Sequence, residues 1–332
     1  MSLIDLTEQS EYKAGYRFYK WADARRQRPV WVDLWYPAND QSDERQISYG
    51  LGHGSVAKDA GVATGRVSFP LVVISHGASG SAPNYGWLTE YLARKGMIVL
   101  GVSHYGESWR YGPDAVDPSA VTRPWTRPQD CTFALSQILQ EKLFKGRVDP
   151  TRIAAIGHSS GGATVIALGG ATFDPVALRT YCRSEIARND RGCKYGRDLR
   201  ELPPTPPEAT ESHQDPRIKA VVMLDPAAGP GYSEASLAKV RVPVLVIGCE
   251  DYDFLPFEHH AGRYAALLPN ASLIKLNGGE GHFVFLNSCT SDLSANGVPL
   301  CVDREGVNRQ AVHARLAPKI LIFLSHTMAA LK

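Results

Sequence analysis

A serine between glycines follows an apolar run, where its hydroxyl could act as a nucleophile. The stretch reads RIAAIGHSSGGATVIALGG over residues 152–170, and Ser159 is the centre of Gly-x-Ser-x-Gly. On a sharp turn from a strand into a helix the serine backbone is strained, and flanking glycines avoid clashes with the neighbouring chain. The pattern therefore predicts a strand, a turn and a helix, with Ser159 as the nucleophile.

A serine hydroxyl needs a base, and the base needs an acid to orient it. In this topology the acid and then the histidine follow the serine, each after a later strand. His282 fits, because LIKLNGGEGH places it in a glycine-rich loop after an apolar run, whereas His76 and His104 precede the serine. His259 and His260 are adjacent, with no further ligand at metal spacing, so we predict no zinc site there.

Two predicted strand ends compete to supply the acid. The run VVMLDPAAGPG offers Asp225, and the run VLVIGCEDYDFLP offers Asp251 and Asp253. Asp130 follows the predicted helix start at Thr126, where a carboxylate suits the positive end of the helix dipole better than a catalytic role. The acid thus remains open between two loops on this evidence.

The negative charge that develops on an attacked carbonyl oxygen needs fixed donors. The segment SHGASGS at residues 75–81 follows an apolar run, so the backbone N–H of Ala78 is predicted to form an oxyanion hole with that of Ser160. These parts require no metal ion or organic cofactor, and we expect none.

Apolar runs alternate with helical patterns along most of the chain. Two runs rich in aromatic residues open it as a predicted antiparallel pair, and later runs of Val, Ile and Leu are separated by amphipathic segments. This alternation predicts an α/β fold with a mostly parallel sheet covered by helices on both faces. We expect one domain over residues 1–332, with a polar, cap-like insertion at about 172–215.

Composition excludes several classes of protein. The 332 residues carry a net charge of +2 and show no basic stripe, so nucleic acid is not an expected partner. No apolar run reaches the ~18 residues that a membrane-spanning helix needs. We therefore expect no membrane span.

Six cysteines divide into two local pairs and two single residues. The pairs Cys182 with Cys193 and Cys289 with Cys301 lie in polar, loop-like sequence, whereas Cys131 and Cys249 are expected to be free buried thiols. Disulfides favour an oxidising compartment, but Met1 begins a stretch without the features of a signal peptide. We expect a periplasmic or secreted protein whose signal peptide is absent from this sequence; a cytoplasmic enzyme with free thiols is the alternative.

The chain resembles α/β-hydrolases of the branch that contains predicted dienelactone hydrolases, platelet-activating-factor acetylhydrolases, chlorophyllases and polyester-degrading cutinases. The resemblance rests on the opening AGYRFYKWADARRQRPVWVDLWYPA, ISHGASG, GHSSGG, LNGGEGHFVFLNSC and the closing LCVDREGVNRQAVHARLA. True dienelactone hydrolases use a cysteine nucleophile, whereas this chain has Ser159. The LDP turn favours Asp225 as the acid; the cutinase-like alternative falls on Tyr252 and needs a shift of one residue, to Asp251 or Asp253.

The resemblance implies a serine hydrolase that cleaves carboxylic esters through an acyl-enzyme. A thioesterase, amidase or acyltransferase would use the same parts, and an inactive binding protein with this fold is a further alternative. We expect a small-molecule ester with an apolar acyl or aryl group, because aromatic residues are expected near the mouth of the site. They are Tyr105, Trp109, Tyr252, Phe254, Phe283 and Phe285.

Overall fold

One large sheet organises the molecule. The computed structural model describes residues 12–39, 41–195, 198–201, 205–289, 293–295 and 297–329. The ten strands of the sheet are β1 Lys13–Asp23, β2 Arg28–Ala38, β3 Arg45–Ser48, β4 His53–Lys58, β5 Phe69–Ser75, β6 Ile98–Ser103, β7 Val148–His158, β8 Ile218–Leu224, β9 Val244–Cys249 and β10 Ala271–Leu276. A separate two-stranded sheet pairs β11 Ser294–Ala295 with β12 Val298–Pro299.

The strand order is β10-β9-β8-β7-β5-β6-β2-β1-β4-β3. The six strands from β10 to β6 are parallel, and β2 joins β6 antiparallel, as does β1 to β2. Every residue of β5, β6 and β9 is buried, as expected for parallel strands covered on both faces. The predicted fold class, a mostly parallel α/β sheet, is confirmed.

Helices cover both faces of the sheet. One face packs against α1 and α7, through residues such as Leu88 and Leu316, and the other packs against α2, α3 and α6, through residues such as Leu135, Ile166 and Tyr264. The helices are α1 Gly86–Arg94, α2 Thr126–Ile138, α3 Ser160–Leu168, α4 Pro175–Cys182, α5 Glu234–Leu237, α6 Ala261–Leu267 and α7 Arg309–Ala329. None of the helices in the described ranges is long and apolar enough to cross a membrane.

The polar segment 172–215 lies between α3 and β8 and is called the insertion below. It contains α4 and several short 3-10 turns. The predicted disulfide between Cys182 and Cys193 closes a loop within it, and the second predicted disulfide joins Cys289 to Cys301. Both pairings are confirmed. Cys131 and Cys249 are buried free thiols, as predicted.

Candidate active site

Ser159 occupies the turn between β7 and α3. Its φ of 54° and ψ of −120° lie in a region that residues with a side chain rarely adopt, so the backbone is strained there. The glycines around it have a steric reason: a Cβ on Gly157 would lie 2.0 Å from the carbonyl oxygen of Gly161, and one on Gly161 would lie 2.0 Å from that of Ser75. The predicted strand, turn and helix are all present, and they place the serine at the carboxyl edge of the sheet, where it lines a cavity.

Asp225 and His282 come together from two other strand ends. Asp225 directly follows β8, and its Oδ2 lies 2.6 Å from His282 Nδ1, while its Oδ1 accepts a hydrogen bond of 3.0 Å from the Cys249 N–H. Both side chains are buried. The carboxylate therefore favours the tautomer with the proton on Nδ1, which leaves a lone pair on Nε2 of the imidazole.

The competing carboxylates bind the backbone of the histidine loop instead of the imidazole. Asp253 Oδ1 accepts a hydrogen bond of 2.9 Å from the His282 backbone N–H, and Asp251 Oδ2 accepts one of 3.3 Å from the Gly279 N–H. The structure therefore brings Asp225 to the His282 ring and places the two alternatives where they support the loop.

Ser159, His282 and Ala78 line a common cavity. The structure contains no hydrogen bond between the Ser159 hydroxyl and the His282 ring; such contacts commonly tighten only when substrate is bound. Ser160 is the first residue of α3, and N–H groups in the first turn of a helix have no intrahelical acceptor. Ala78, in the loop after β5, and Ser160, at the start of α3, line one cavity together with Ser159.

A chain of three hydrogen bonds links the Ala78 loop to the histidine loop. The Gly77 N–H donates to the Tyr85 hydroxyl at 3.0 Å, this hydroxyl donates to His158 Nδ1 at 2.9 Å, and His158 Nε2 donates to the His282 carbonyl oxygen at 2.9 Å. The Gly77 N–H can only donate a hydrogen bond, and the His282 carbonyl oxygen can only accept one. The His158 tautomer with its proton on Nε2 therefore satisfies all three hydrogen bonds. Burial and the neighbouring His282 ring hold the pKa of His158 well below its usual range, so it stays neutral.

Sequence reasoning missed this chain and the place of His158, whose ring centroid lies 4.6 Å from that of His282. Tyr85 is 73 residues from His158, and His158 is 124 residues from His282. No local sequence pattern marks contacts over such separations.

Two cavities meet at Ser159. The smaller, about 70 Å³, is called the inner cavity, and the larger, about 300 Å³, the outer cavity. Ala78, Ser159, Tyr195 and Phe254 line both. The residues of the inner cavity alone include Ser160, Ala163, Phe173, Leu178, Cys182 and Cys193, and those of the outer cavity alone include Trp109, His158, His282, Phe283, Leu293 and Leu300.

Three of the six aromatic residues expected near the mouth of the site line the cavities. Trp109, Phe254 and Phe283 line the cavities, and the Phe254 ring stacks on the His282 ring with centroids 4.9 Å apart. The Phe285 side chain is fully buried in the core, because a 3-10 turn over His282–Phe285 directs alternate side chains differently. Tyr105 and Tyr252 line neither cavity.

A buried ion pair lies in the wall of the inner cavity. Arg127 Nε and Glu107 Oε1 are 3.3 Å apart, and both residues are almost fully buried. The Arg127 guanidinium donates to the His76 carbonyl oxygen at 2.5 Å, which supports the loop that carries Ala78. Neither charged residue was singled out from the sequence.

A second serine, histidine and aspartate are aligned in the core beneath that loop. Ser75 Oγ and His104 Nε2 are 2.9 Å apart, and His104 Nδ1 and Asp130 Oδ2 are 3.1 Å apart. Asp130 also accepts hydrogen bonds of 2.8 Å from Arg26 and from Arg28. The expectation that Asp130 serves the first turn of its helix is wrong, since the first turn of α2 contains no acidic residue.

Among the described residues, no group of three or more His, Cys, Asp or Glu side chains is arranged to hold a metal ion. His260 instead pairs with Asp190, with Nε2 and Oδ2 at 2.7 Å, and this pair lines the inner cavity. His260 therefore has a structural partner, Asp190, that the sequence did not indicate.

The fold places Ser159 on a turn from a strand into a helix at the carboxyl edge of a mostly parallel sheet. The family model described as the alpha/beta hydrolase family matches residues 71–290, and the chain belongs to this family. The resemblance drawn from its motifs is confirmed.

Known proteins similar to this chain include enzymes from animals and bacteria. A platelet-activating factor acetylhydrolase of Cavia porcellus is 30% identical over 135 residues, covering 30% of this chain and 31% of that protein. Cutinase 1 of Thermobifida cellulosilytica is 21% identical over 238 residues, covering 71% of this chain and 66% of that protein. A bis(hydroxyethyl) terephthalate hydrolase of Streptomyces coelicolor is 21% identical and covers 71% and 56%. The chain thus matches between about a third and two thirds of the length of these relatives.

A solved structure shares the fold over nearly the whole chain. The ferulic acid esterase from Streptomyces cinnamoneus superposes with a TM-score of 0.64 and 21% identity, covering 97% of this chain and 92% of that one. At this level of identity the likeness establishes the fold.

Proposed function

We propose that the protein is a serine hydrolase that cleaves carboxylic esters through an acyl-enzyme. The observation that carries this proposal is the 2.6 Å hydrogen bond from His282 to Asp225, on a ring that shares a cavity with Ser159. In this proposal Ser159 is the nucleophile, His282 the general base and then acid, and Asp225 the residue that orients the imidazole. The N–H groups of Ala78 and Ser160 form the oxyanion hole.

The reaction follows from these positions. Ser159 Oγ bonds to the ester carbonyl carbon while its proton passes to His282 Nε2, and the carbonyl oxygen becomes negative between the two N–H groups. The carbon–oxygen bond to the alcohol then breaks, and His282 returns its proton to the leaving oxygen. Water repeats both steps on the acyl-enzyme, with His282 taking a proton from the water, and this releases the acid and restores Ser159.

The choice of ester over thioester or amide is supported by the relatives. Cutinases, a bis(hydroxyethyl) terephthalate hydrolase and a ferulic acid esterase are among the proteins that the chain resembles. The apolar lining of both cavities, with Phe173, Leu178 and Trp109, supports an apolar acyl or aryl substrate. The two disulfides support action in the periplasm or outside the cell.

A matched panel tests the reaction class. We expect turnover of p-nitrophenyl butyrate, slower turnover of the corresponding thioester and at least about 100-fold slower turnover of the p-nitroanilide, with a fluorophosphonate probe bound at Ser159 in peptide mapping. Labelling at Ser160 instead, or no ester turnover with Ser159 unlabelled, would contradict the proposal.

A further inference from the structure

We infer that the inner cavity binds the acyl group of the substrate and that the outer cavity binds the leaving alcohol. This inference rests on the proposed function, because it takes Ser159 as the nucleophile and His282 as the proton donor. The alcohol oxygen must receive its proton from His282 Nε2, so the alcohol must lie on the side of the serine where that ring is. His282 lines the outer cavity and not the inner one.

The oxyanion donors give the same orientation. Ala78 lines both cavities, whereas Ser160 lines the inner cavity and not the outer one. An ester carbonyl held between these two N–H groups therefore lies at the boundary of the cavities. With the alcohol beside His282, the remaining substituent of the carbonyl carbon, which is the acyl chain, must enter the inner cavity along α3.

The inner cavity is built to hold a compact apolar group. The insertion forms much of its wall, through Leu178 and the disulfide of Cys182 with Cys193. Its charged side chains lie beside opposite charges, with Arg127 Nε and Glu107 Oε1 at 3.3 Å and His260 Nε2 and Asp190 Oδ2 at 2.7 Å. Arg127 Nε and Glu107 Oε2 form no hydrogen bond within the protein, but both atoms are buried, so the surface offered to a ligand is mainly apolar.

Hydrogen bonds join the insertion to the segment between β9 and α6 and fix the position of this wall. Asp190 accepts hydrogen bonds from His260 Nε2 at 2.7 Å and from the Gly192 N–H at 2.9 Å. The Arg191 N–H donates to the Phe254 carbonyl oxygen at 3.0 Å. A cavity of about 70 Å³ with such a wall limits the length of the acyl chain.

The outer cavity has the opposite character. It is larger, and two of its lining residues, Trp109 and Leu293, are 39% and 40% exposed at the surface. An alcohol bound there can extend past these side chains into solvent. We therefore expect strong selection on the acyl chain and weak selection on the alcohol.

Two leucine-to-phenylalanine variants separate the cavities. Leu178→Phe reduces the inner cavity, and Leu293→Phe makes the same change in the outer cavity. Each is tested with p-nitrophenyl acetate and hexanoate, which differ in the acyl chain, and with phenyl and 1-naphthyl acetate, which differ in the alcohol. Thermal melting confirms that both variants fold, and Leu178→Ala replaces Leu178→Phe if the latter does not.

We expect Leu178→Phe to lower the ratio of hexanoate to acetate kcat/KM at least about tenfold and to leave the naphthyl-to-phenyl ratio within about twofold. Leu178→Ala should instead raise the hexanoate ratio. Leu293→Phe should change only the naphthyl-to-phenyl ratio. Deacylation, followed after a burst of p-nitrophenol, should respond to Leu178 and not to Leu293, because the acyl-enzyme has lost its alcohol.

The reversed pattern, or equal effects on both ratios, would overturn the assignment of the cavities while leaving ester hydrolysis intact. If the wild-type protein cleaved none of the four esters, the proposed function itself would fail. These two results are distinguishable because the first needs a working enzyme.

Discussion

Two regions of this molecule align a serine, a histidine and an aspartate, and only one of them is arranged for chemistry. In the core set, His104 binds Ser75 and Asp130, with all three side chains fully buried. In the site, His282 binds Asp225 and shares a cavity with Ser159 on its strained turn. The order of hydrogen-bonding groups along the two sets is therefore similar.

Access and charge distinguish the two sets. None of the core residues lines either cavity, so no carbonyl carbon can approach the Ser75 hydroxyl. Burial, assisted by the positive charge of Arg127, lowers the pKa of His104 to about 3. Burial alone would raise the pKa of Asp130, but hydrogen bonds from His104 and Arg28 lower it to about 2. The core set is an ion-paired support for β5 and the Ala78 loop.

Matched serine substitutions give the largest expected difference. Ser159→Ala should reduce kcat/KM for a p-nitrophenyl ester by roughly 10⁴–10⁶-fold, because nucleophile and base act as one unit. Ser75→Ala should keep activity within about threefold and lower stability by roughly 1–3 kcal/mol, since it leaves the buried His104 Nε2 without a partner. Initial rates and thermal melts measure both. Loss of activity in a folded Ser75→Ala protein would show that the core set also takes part in the reaction.

The acid provides the next test. Asp225→Asn should cost about 10⁴ in kcat because the amide no longer fixes the productive tautomer of the imidazole. Asp253→Asn and Asp251→Asn should cost about tenfold or less, since those carboxylates bind loop N–H groups. Rates at saturating ester and melting temperatures of the three variants decide which carboxylate is the acid. An almost unchanged Asp225→Asn beside an inactive Asp253→Asn would transfer the role to the later loop.

The sequence predicted those parts of the site that depend on short-range patterns. The turn at Ser159 follows from glycines that a Cβ would force into neighbouring backbone, and His282 follows from the order of strands. The Asp225 turn also lies at a strand end, where a buried apolar run stops. Fold class was predictable for the same reason, because buried parallel strands read as continuous apolar runs.

What the sequence did not predict depends on long-range packing. Asp130 meets Arg26 and Arg28 from more than 100 residues away, so its apparent position near a helix start was a poor guide to its role. The wall of the inner cavity needs Asp190 from the insertion and His260 from a later loop. Each contact is specified by the tertiary fold, and no spacing along the chain indicates it.

The smallest expected effect concerns protonation of the buried core imidazole. The folded pKa of His104, about 3, lies below the ~6.5 of an exposed histidine. Below pH ~6.5 the unfolded chain therefore binds a proton that the folded protein does not. The contribution of His104 to stability is present above that pH and is lost as the pH falls towards 3, by up to ~1.4 kcal/mol per pH unit.

Chemical denaturation between pH 6 and 4.5 measures this slope, in a window above the range where Asp130 titrates. His104→Asn should lower the free energy of unfolding at pH 7 and flatten its decline with acid by about 1 kcal/mol per pH unit. His53→Asn, at an exposed position, is the control and should leave the slope unchanged. His76 and His158 are also buried, and the pKa of each lies well below its usual range, mainly through desolvation, so part of the slope should persist in the variant. An unaltered slope in His104→Asn would mean that the core imidazole accepts a proton in the folded protein, and the distinction between the two sets would then rest on access alone.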